Sequence, residues 1–147
     1  MIIIQADPRT PSIVTLIREL DQHLATLYPP DSIFGLNLDE LSARDVRFFA
    51  ALEDENALGC GAIKLFKEYA EIKRVYVAPE ARGTGVARAL LNRLEQIARN
   101  IGYDRLRLDT GPEQPASVAL FTSIGYEQIP DYNGNPVGAY WFEKRLA

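Results

Sequence analysis

The sequence has 147 residues, 47% of them hydrophobic and 24% charged, which suits one compact domain with a substantial core. No run approaches the roughly 18 consecutive apolar residues of a membrane span, and a formal charge of −4, from 16 basic and 20 acidic residues, argues against a nucleic-acid partner. With Cys60 and His23 as the only residues of their types, an intrachain disulfide and a multi-cysteine metal site are excluded, no metal is expected, and a reducing cytoplasm fits.

Met1-Ile2-Ile3-Ile4 is too short for a signal peptide and lacks its basic flank, so a strand is expected over 2–6. Thr10-Pro11 looks like an N-cap followed by proline at the first helical position. Ile13, Leu16, Ile17, Leu20, Leu24 and Leu27 then recur at helical spacing, predicting a helix over 11–27 that Pro29 and Pro30 end. A short helix is expected near 38–41. Strands follow at 46–53, 57–66 and 69–78, with hairpin turns near Asp54-Glu55-Asn56 and Lys67-Glu68. The strongest helix pattern covers 84–100, where Val86, Ala87, Leu90, Leu91, Leu94, Ile97, Ala98 and Ile101 share a face and Gly102 terminates it. A strand at 104–110, a helix at 115–124 and strands near 126–129 and 138–146 complete the chain. No linker or internal repeat divides 1–147. Consecutive antiparallel strands followed by strand-helix-strand imply an α/β fold with a mixed, mostly antiparallel sheet and helices on both faces.

The segment from Ile72 to Leu91 carries the chemistry: a strand runs into the loop Arg82-Gly83-Thr84-Gly85-Val86-Ala87, which opens the long helix. Two glycines permit a sharp turn and close backbone approach. The first helix amides lack internal partners and sit at the positive end of the dipole. The combination suits a diphosphate, with Arg82 and Arg88 in reach to add charge, although a tight strand-to-helix turn without a ligand has the same pattern. Val86-Ala87 stands where a Walker loop needs Lys-Ser/Thr, and Arg88 where a dinucleotide fingerprint needs its third glycine.

Arg82-x-x-Gly85-x-Ala87, preceded by Val75-Tyr76-Val77-Ala78-Pro79-Glu80, resembles the R/Q-x-x-G-x-G/A signature of the GNAT acetyltransferases. Downstream, Ala119-Leu120-Phe121-Thr122-Ser123-Ile124-Gly125-Tyr126 is similar to that family's A-L-Y-x-x-x-G-F/Y helix end, and the order of elements is that of its fold. Gly59-Cys60-Gly61-Ala62 and Leu108-Asp109-Thr110-Gly111 further resemble a bacterial subgroup whose substrates are mostly uncharacterised. The resemblance implies direct transfer of an acetyl group from acetyl-CoA to a primary amine of a small molecule, peptide or protein. It implies cofactor contacts from the backbone of Val75, Tyr76 and Val77, and from Arg82, Gly83, Thr84, Gly85, Val86, Ala87 and Arg88 around the pyrophosphate. Gln114 falls where many relatives place an asparagine on the cofactor arm; an exposed helix-start residue is the plainer reading. Homodimers through the final strands are common in the superfamily.

Glu71 matches the glutamate that serves as general base in the histone-acetylating branch. Partial desolvation beside a central strand would raise its pKa toward a useful value, whereas pairing with Lys73 or Arg74 would depress it. Phe121 occupies the place of a tyrosine that protonates the leaving thiolate in many relatives. A water or another hydroxyl (Tyr126, Tyr132, Tyr140, Ser117 or Thr122) would have to substitute, or the thiolate leaves unassisted. That departure keeps a second function open, a degenerate module that binds acyl-CoA as a sensor. His23 shares helical spacing with Leu16, Leu20 and Leu27, and with Ser32 and Phe34 in the following loop it is a candidate for acceptor contact; a core or edge position is the alternative for the histidine. Cys60 between two glycines reads as packing, not as a nucleophile.

Overall fold

The two helices with the clearest apolar stripes lie on opposite faces of one seven-stranded sheet in a computed structural model, which describes residues 1–28, 37–111, 114–135 and 140–146. The elements in chain order are β1 (Ile2–Gln5), α1 (Pro11–Leu27), α2 (Leu38–Leu41), β2 (Val46–Glu53), β3 (Asn56–Leu65), β4 (Ala70–Val77), a 3-10 turn (Pro79–Ala81), α3 (Val86–Ile101), β5 (Arg105–Thr110), α4 (Pro115–Ser123), β6 (Glu127–Ile129) and β7 (Tyr140–Arg145). This is the order expected from the sequence, with boundaries shifted by two residues at most. Among the described residues no helix is long and apolar enough to cross a membrane.

The strand order is β1-β2-β3-β4-β5-β7-β6, antiparallel throughout except between β4 and β5. On one face Val86, Leu90, Leu91, Leu94 and Ala98 of α3 and Phe121 of α4 pack on Phe49, Ile63, Ile72, Leu106, Leu108 and Phe142. On the other, Ile13, Leu16, Ile17 and Leu20 of α1 pack on Phe48, Ala50, Ala62 and Tyr76. Each fully buried leucine or isoleucine contributes about 1.5–3 kcal/mol, so these stripes hold both helices to the sheet. Gly59 and Gly61 permit the close approach of α3: a Cβ on Gly59 would lie 3.0 Å from Val86 and one on Gly61 3.3 Å from Leu94.

Three details add to or depart from the sequence reading. Thr10 stands at the α1 N-cap, but its side chain makes no capping bond; the proline at the first helical position already removes one donor. Ile101, assigned to the apolar stripe, is 44% exposed because it lies in the last turn, where α3 leaves the sheet. Glu95, on which the sequence reading is silent, is buried and paired with Lys144 at 2.7 Å.

A bulge in β4 positions the site. Cys60 faces Tyr76 and Ala62 faces Lys73, so β4 carries one residue more than β3 across this stretch. Arg74 absorbs it with φ +57, a left-handed conformation costly for a side chain of its size. Two contacts stabilise the turn: the Arg74 guanidinium binds Asp21 of α1 at 2.5 Å, and the Cys60 thiol donates to the Arg74 carbonyl at 3.4 Å. The extra residue also resets the alternation of side chains. Ile72, Val75 and Val77 meet the α3-side core while Tyr76 and Ala78 join the α1 side.

Candidate active site

β4 and β5 are hydrogen-bonded only at Ala70–Leu106 and Glu71–Arg107, although β4 continues to Val77 and β5 to Thr110. Their parting opens a cleft of about 520 Å³. Residues 72–77 form one wall, residues 108–111 with Gln114 and the start of α4 the other, and Leu20, His23, Leu24 and Tyr28 of the first helical segment border it. Tyr28 reaches across: a Cβ at Gly111 would fall 1.8 Å from its hydroxyl, so glycine is required there for α1 and β5 to meet.

One end of the cleft reaches the loop before α3 through Arg82 and Ala87. Gly83 and Gly85 have φ of +78 and +88, and a Cβ on either would touch nothing within 4 Å, so the backbone turn alone demands glycine while the space around it stays open. Gly85 caps α3 without a side-chain bond. The helical ladder begins with the Ala89 N–H donating to the Gly85 carbonyl, which leaves the amides before it aimed outward. Thr84 is held by its hydroxyl on the Ala81 carbonyl, and Arg82 by Nε on the Val77 carbonyl and by its position over the Tyr76 ring. This constellation fits a diphosphate. Arg88 is exposed and donates to Ser123 at 3.4 Å, at the edge of the same face.

The other expected residues divide by location. Val75, Tyr76, Val77, Gln114 and Phe121 line the cleft. Phe121 is also core, edge-on to Tyr126 with ring centres 5.5 Å apart. His23 lines the cleft from α1 but is exposed, so it is a rim residue and not part of the apolar stripe. Ser32 and Phe34 lie outside the described residues. Cys60 is fully buried, and burial pushes its thiol up to about 12, which makes it a packing residue.

Glu71 is not at a solvated strand end: only 2% of it is exposed. It sits at the last β4–β5 pairing, beneath the cleft, and its carboxylate is ion-paired with Lys73, which does line the cleft. Of the two partners the sequence offers, Lys73 takes the glutamate while Arg74 goes to Asp21. Tyr132 covers the pair; burial, and then the Glu71 charge, hold its phenol well above the usual range. Burial and Glu71 raise Tyr69 likewise, and Arg107 stands between these two rings at 4.6 and 5.1 Å while bonding Glu143 at 2.8 Å.

Two features escape the sequence reading. Lys73 lines the cleft from the same face of β4 as Glu71, two residues earlier. Asp109 also lines the cleft, its Oδ2 accepting from the side-chain amides of Asn135 at 2.6 Å and Asn133 at 3.2 Å. A signal for Asp109 exists in strand alternation: Leu106 and Leu108 point to the α3 core, so Arg107 and Asp109 share the opposite face with Glu71. Among the described residues no group of His, Cys, Asp and Glu is arranged to hold a metal ion.

Comparison with known proteins gives the same picture. The model of the Acetyltransferase (GNAT) family matches residues 14–126. The chain is 40% identical over 126 residues to the IAA acetyltransferase of Azospirillum brasilense, covering 84% of this chain and 82% of that one. A crystal structure from Klebsiella pneumoniae, assigned as an acyl-CoA N-acyltransferase, superposes with a TM-score of 0.82 at 33% identity over 99% of this chain and 97% of that one. The PaiA N-acetyltransferase of Thermoplasma acidophilum, solved with coenzyme A, shares the fold at TM-score 0.74 and 18% identity over 99% of each chain.

Proposed function

The chain belongs to the GNAT acetyltransferase family, and on that premise we propose how its cleft transfers an acetyl group from acetyl-CoA to an amine. It is an acetyl-CoA-dependent N-acetyltransferase; the acyl-CoA sensor alternative is not favoured by its relatives. The observation that carries the proposal is the uncapped, doubly glycine-turned start of α3 opening onto the parted strands.

The amides of Gly83, Gly85, Val86 and Ala87 take the pyrophosphate, with Arg82 as counter-charge. Val75, Tyr76 and Val77 hold the pantetheine arm along β4, and Gln114 and Phe121 close the cleft opposite them. Fixing both reactants in one slot converts a bimolecular step into a local one. His23, Ser32 and Phe34 are the acceptor-side positions in this reading. The amine must lose a proton to attack. Glu71 takes it through Lys73: the Lys73 ammonium passes a proton to the Glu71 carboxylate behind it, and the resulting neutral Lys73 amine accepts the acceptor's proton. The thiolate of CoA departs without a side-chain acid: Phe121 has no proton to give, the Tyr126 and Tyr132 phenols are buried and raised, Tyr140 and Thr122 do not line the cleft, and the Ser117 hydroxyl is a weaker acid than the thiol. The need for acetyl-CoA and the lone, unpaired cysteine support a cytoplasmic reaction.

Calorimetric titration with CoA, run beside thiol release from acetyl-CoA across alkylamines, amino acids and peptides, tests the reading. CoA binding with amine-dependent turnover in wild type, and turnover lost with binding kept in Glu71→Gln, is the expected result. Absence of CoA binding overturns it.

A further inference from the structure

We propose that Asp109 is the anchor for the acceptor's ammonium group, which makes the preferred substrate an aliphatic primary amine that is cationic at neutral pH. The inference rests on the acetyl-transfer reading of the same cleft and adds to it the charge class of the acceptor.

Three observations carry it. Asp109 is the one carboxylate among the described residues that line the cleft. Its cationic neighbours there are already engaged, Lys73 by Glu71 and Arg74 by Asp21, so among the described residues no Lys or Arg lies within ion-pair distance of it. It is also built to stay in place. Oδ2 receives the amides of Asn133 and Asn135, and Asn133 is fixed in turn by the Trp141 indole N–H at 2.9 Å and by its own backbone bond to Asp131. Neutral amides orient a carboxylate without cancelling its charge. Oδ1 has no donor among the described residues.

The register supplies the geometry. Glu71 faces Arg107, and two residues further along both strands come Lys73 and Asp109, on the same sheet face, where the strands have separated. An amine entering there meets Asp109 on the β5 wall and Lys73 on the β4 wall. Asp109 accepts an N–H of the incoming ammonium and holds the nitrogen in the slot, while the proton leaves toward Lys73 and Glu71. An arylamine or hydrazide, neutral at pH 7, gains nothing from this charge and still has to displace its hydration.

The test compares benzylamine with aniline, similar in shape but cationic and neutral respectively at pH 7, on wild type, Asp109→Asn and Asp109→Glu. Each protein is first titrated with CoA, and benzylamine is then titrated into the CoA-loaded form. Asp109→Asn is expected to lose about 30-fold or more in kcat/KM for benzylamine, chiefly through KM, and a similar factor in benzylamine affinity. CoA affinity is unchanged, aniline turnover stays within about threefold, and Asp109→Glu recovers part of the loss. Equal losses for both amines, or none for benzylamine, with CoA still bound, overturn the anchor. A wild type that does not bind CoA overturns the acetyl-transfer reading itself, and the anchor with it.

Discussion

Lys73 folds its ammonium back onto Glu71, the last residue of β4 that β5 still holds. The pair therefore straddles the boundary between closed sheet and open cleft, with the carboxylate 3% and the lysine side chain 11% exposed. The cleft sees only the lysine. Glu71→Gln and Lys73→Met should each lower kcat by about 100-fold or more with CoA affinity unchanged, because either removes the proton route. The double variant should be scarcely worse than either single one, since the two act as a unit. Steady-state kinetics on the four proteins measures this.

The same pair makes an opposite prediction for stability. Lys73→Met leaves a buried carboxylate without its cation, at a cost of about 3–5 kcal/mol, whereas Glu71→Gln with Lys73→Met removes both charges and should recover most of that. Urea unfolding at pH 7 distinguishes the two; a double variant as unstable as Lys73→Met alone would refute the buried-pair account.

The α3 loop gives a test confined to the cofactor. Gly85 has φ +88 and open space where a Cβ would go, so Gly85→Ala costs about 1–2 kcal/mol through backbone conformation alone. Either that strain is borne by the fold, or the turn relaxes and the α3 amides lose their aim. A fall in CoA affinity of about tenfold by calorimetry is expected, with the amine KM extrapolated to saturating acetyl-CoA little changed.

Helical spacing alone locates α1 and α3, because each buries one continuous stripe, and the glycines at 83 and 85 mark a turn that only they adopt. The family resemblance singles out Glu71, but does not reveal its burial or which of Lys73 and Arg74 is its partner. Both depend on where β4 and β5 separate, a register between strands 36 residues apart in sequence. The bulge at Arg74 is equally hidden, since nothing local signals a left-handed arginine, and it is held by Asp21 from a distant helix. Asp109 reads as an ordinary strand residue because its meaning comes from Asn133 and Asn135 in a later loop.

Phe121 tests whether a protonated leaving group matters. Its ring lines the cleft while packing edge-on against Tyr126. Phe121→Tyr adds a hydroxyl at that wall. If the thiolate leaves unassisted, kcat should change by less than about threefold; a rise of tenfold or more would show that the native enzyme works without an acid it can use.

Cys60 contributes to how the protein's stability responds to alkali. Burial raises its thiol from 9.0 to about 12, so at pH 8 about one molecule in ten thousand carries the thiolate and alkylating reagents should leave activity intact. Between pH 9 and 12 the unfolded chain ionises this thiol while the native one keeps its proton. The native state then binds more protons, and stability falls as pH rises, by about 1.4 kcal/mol per unit for this group. Tyr126 and Tyr132, both raised by burial, add loss in the same direction above pH 10. Cys60→Ala should unfold at slightly lower urea at pH 7 and yet show a shallower decline between pH 9 and 10.5. Parallel declines in the two proteins would mean that the thiol does not titrate on unfolding as its burial requires.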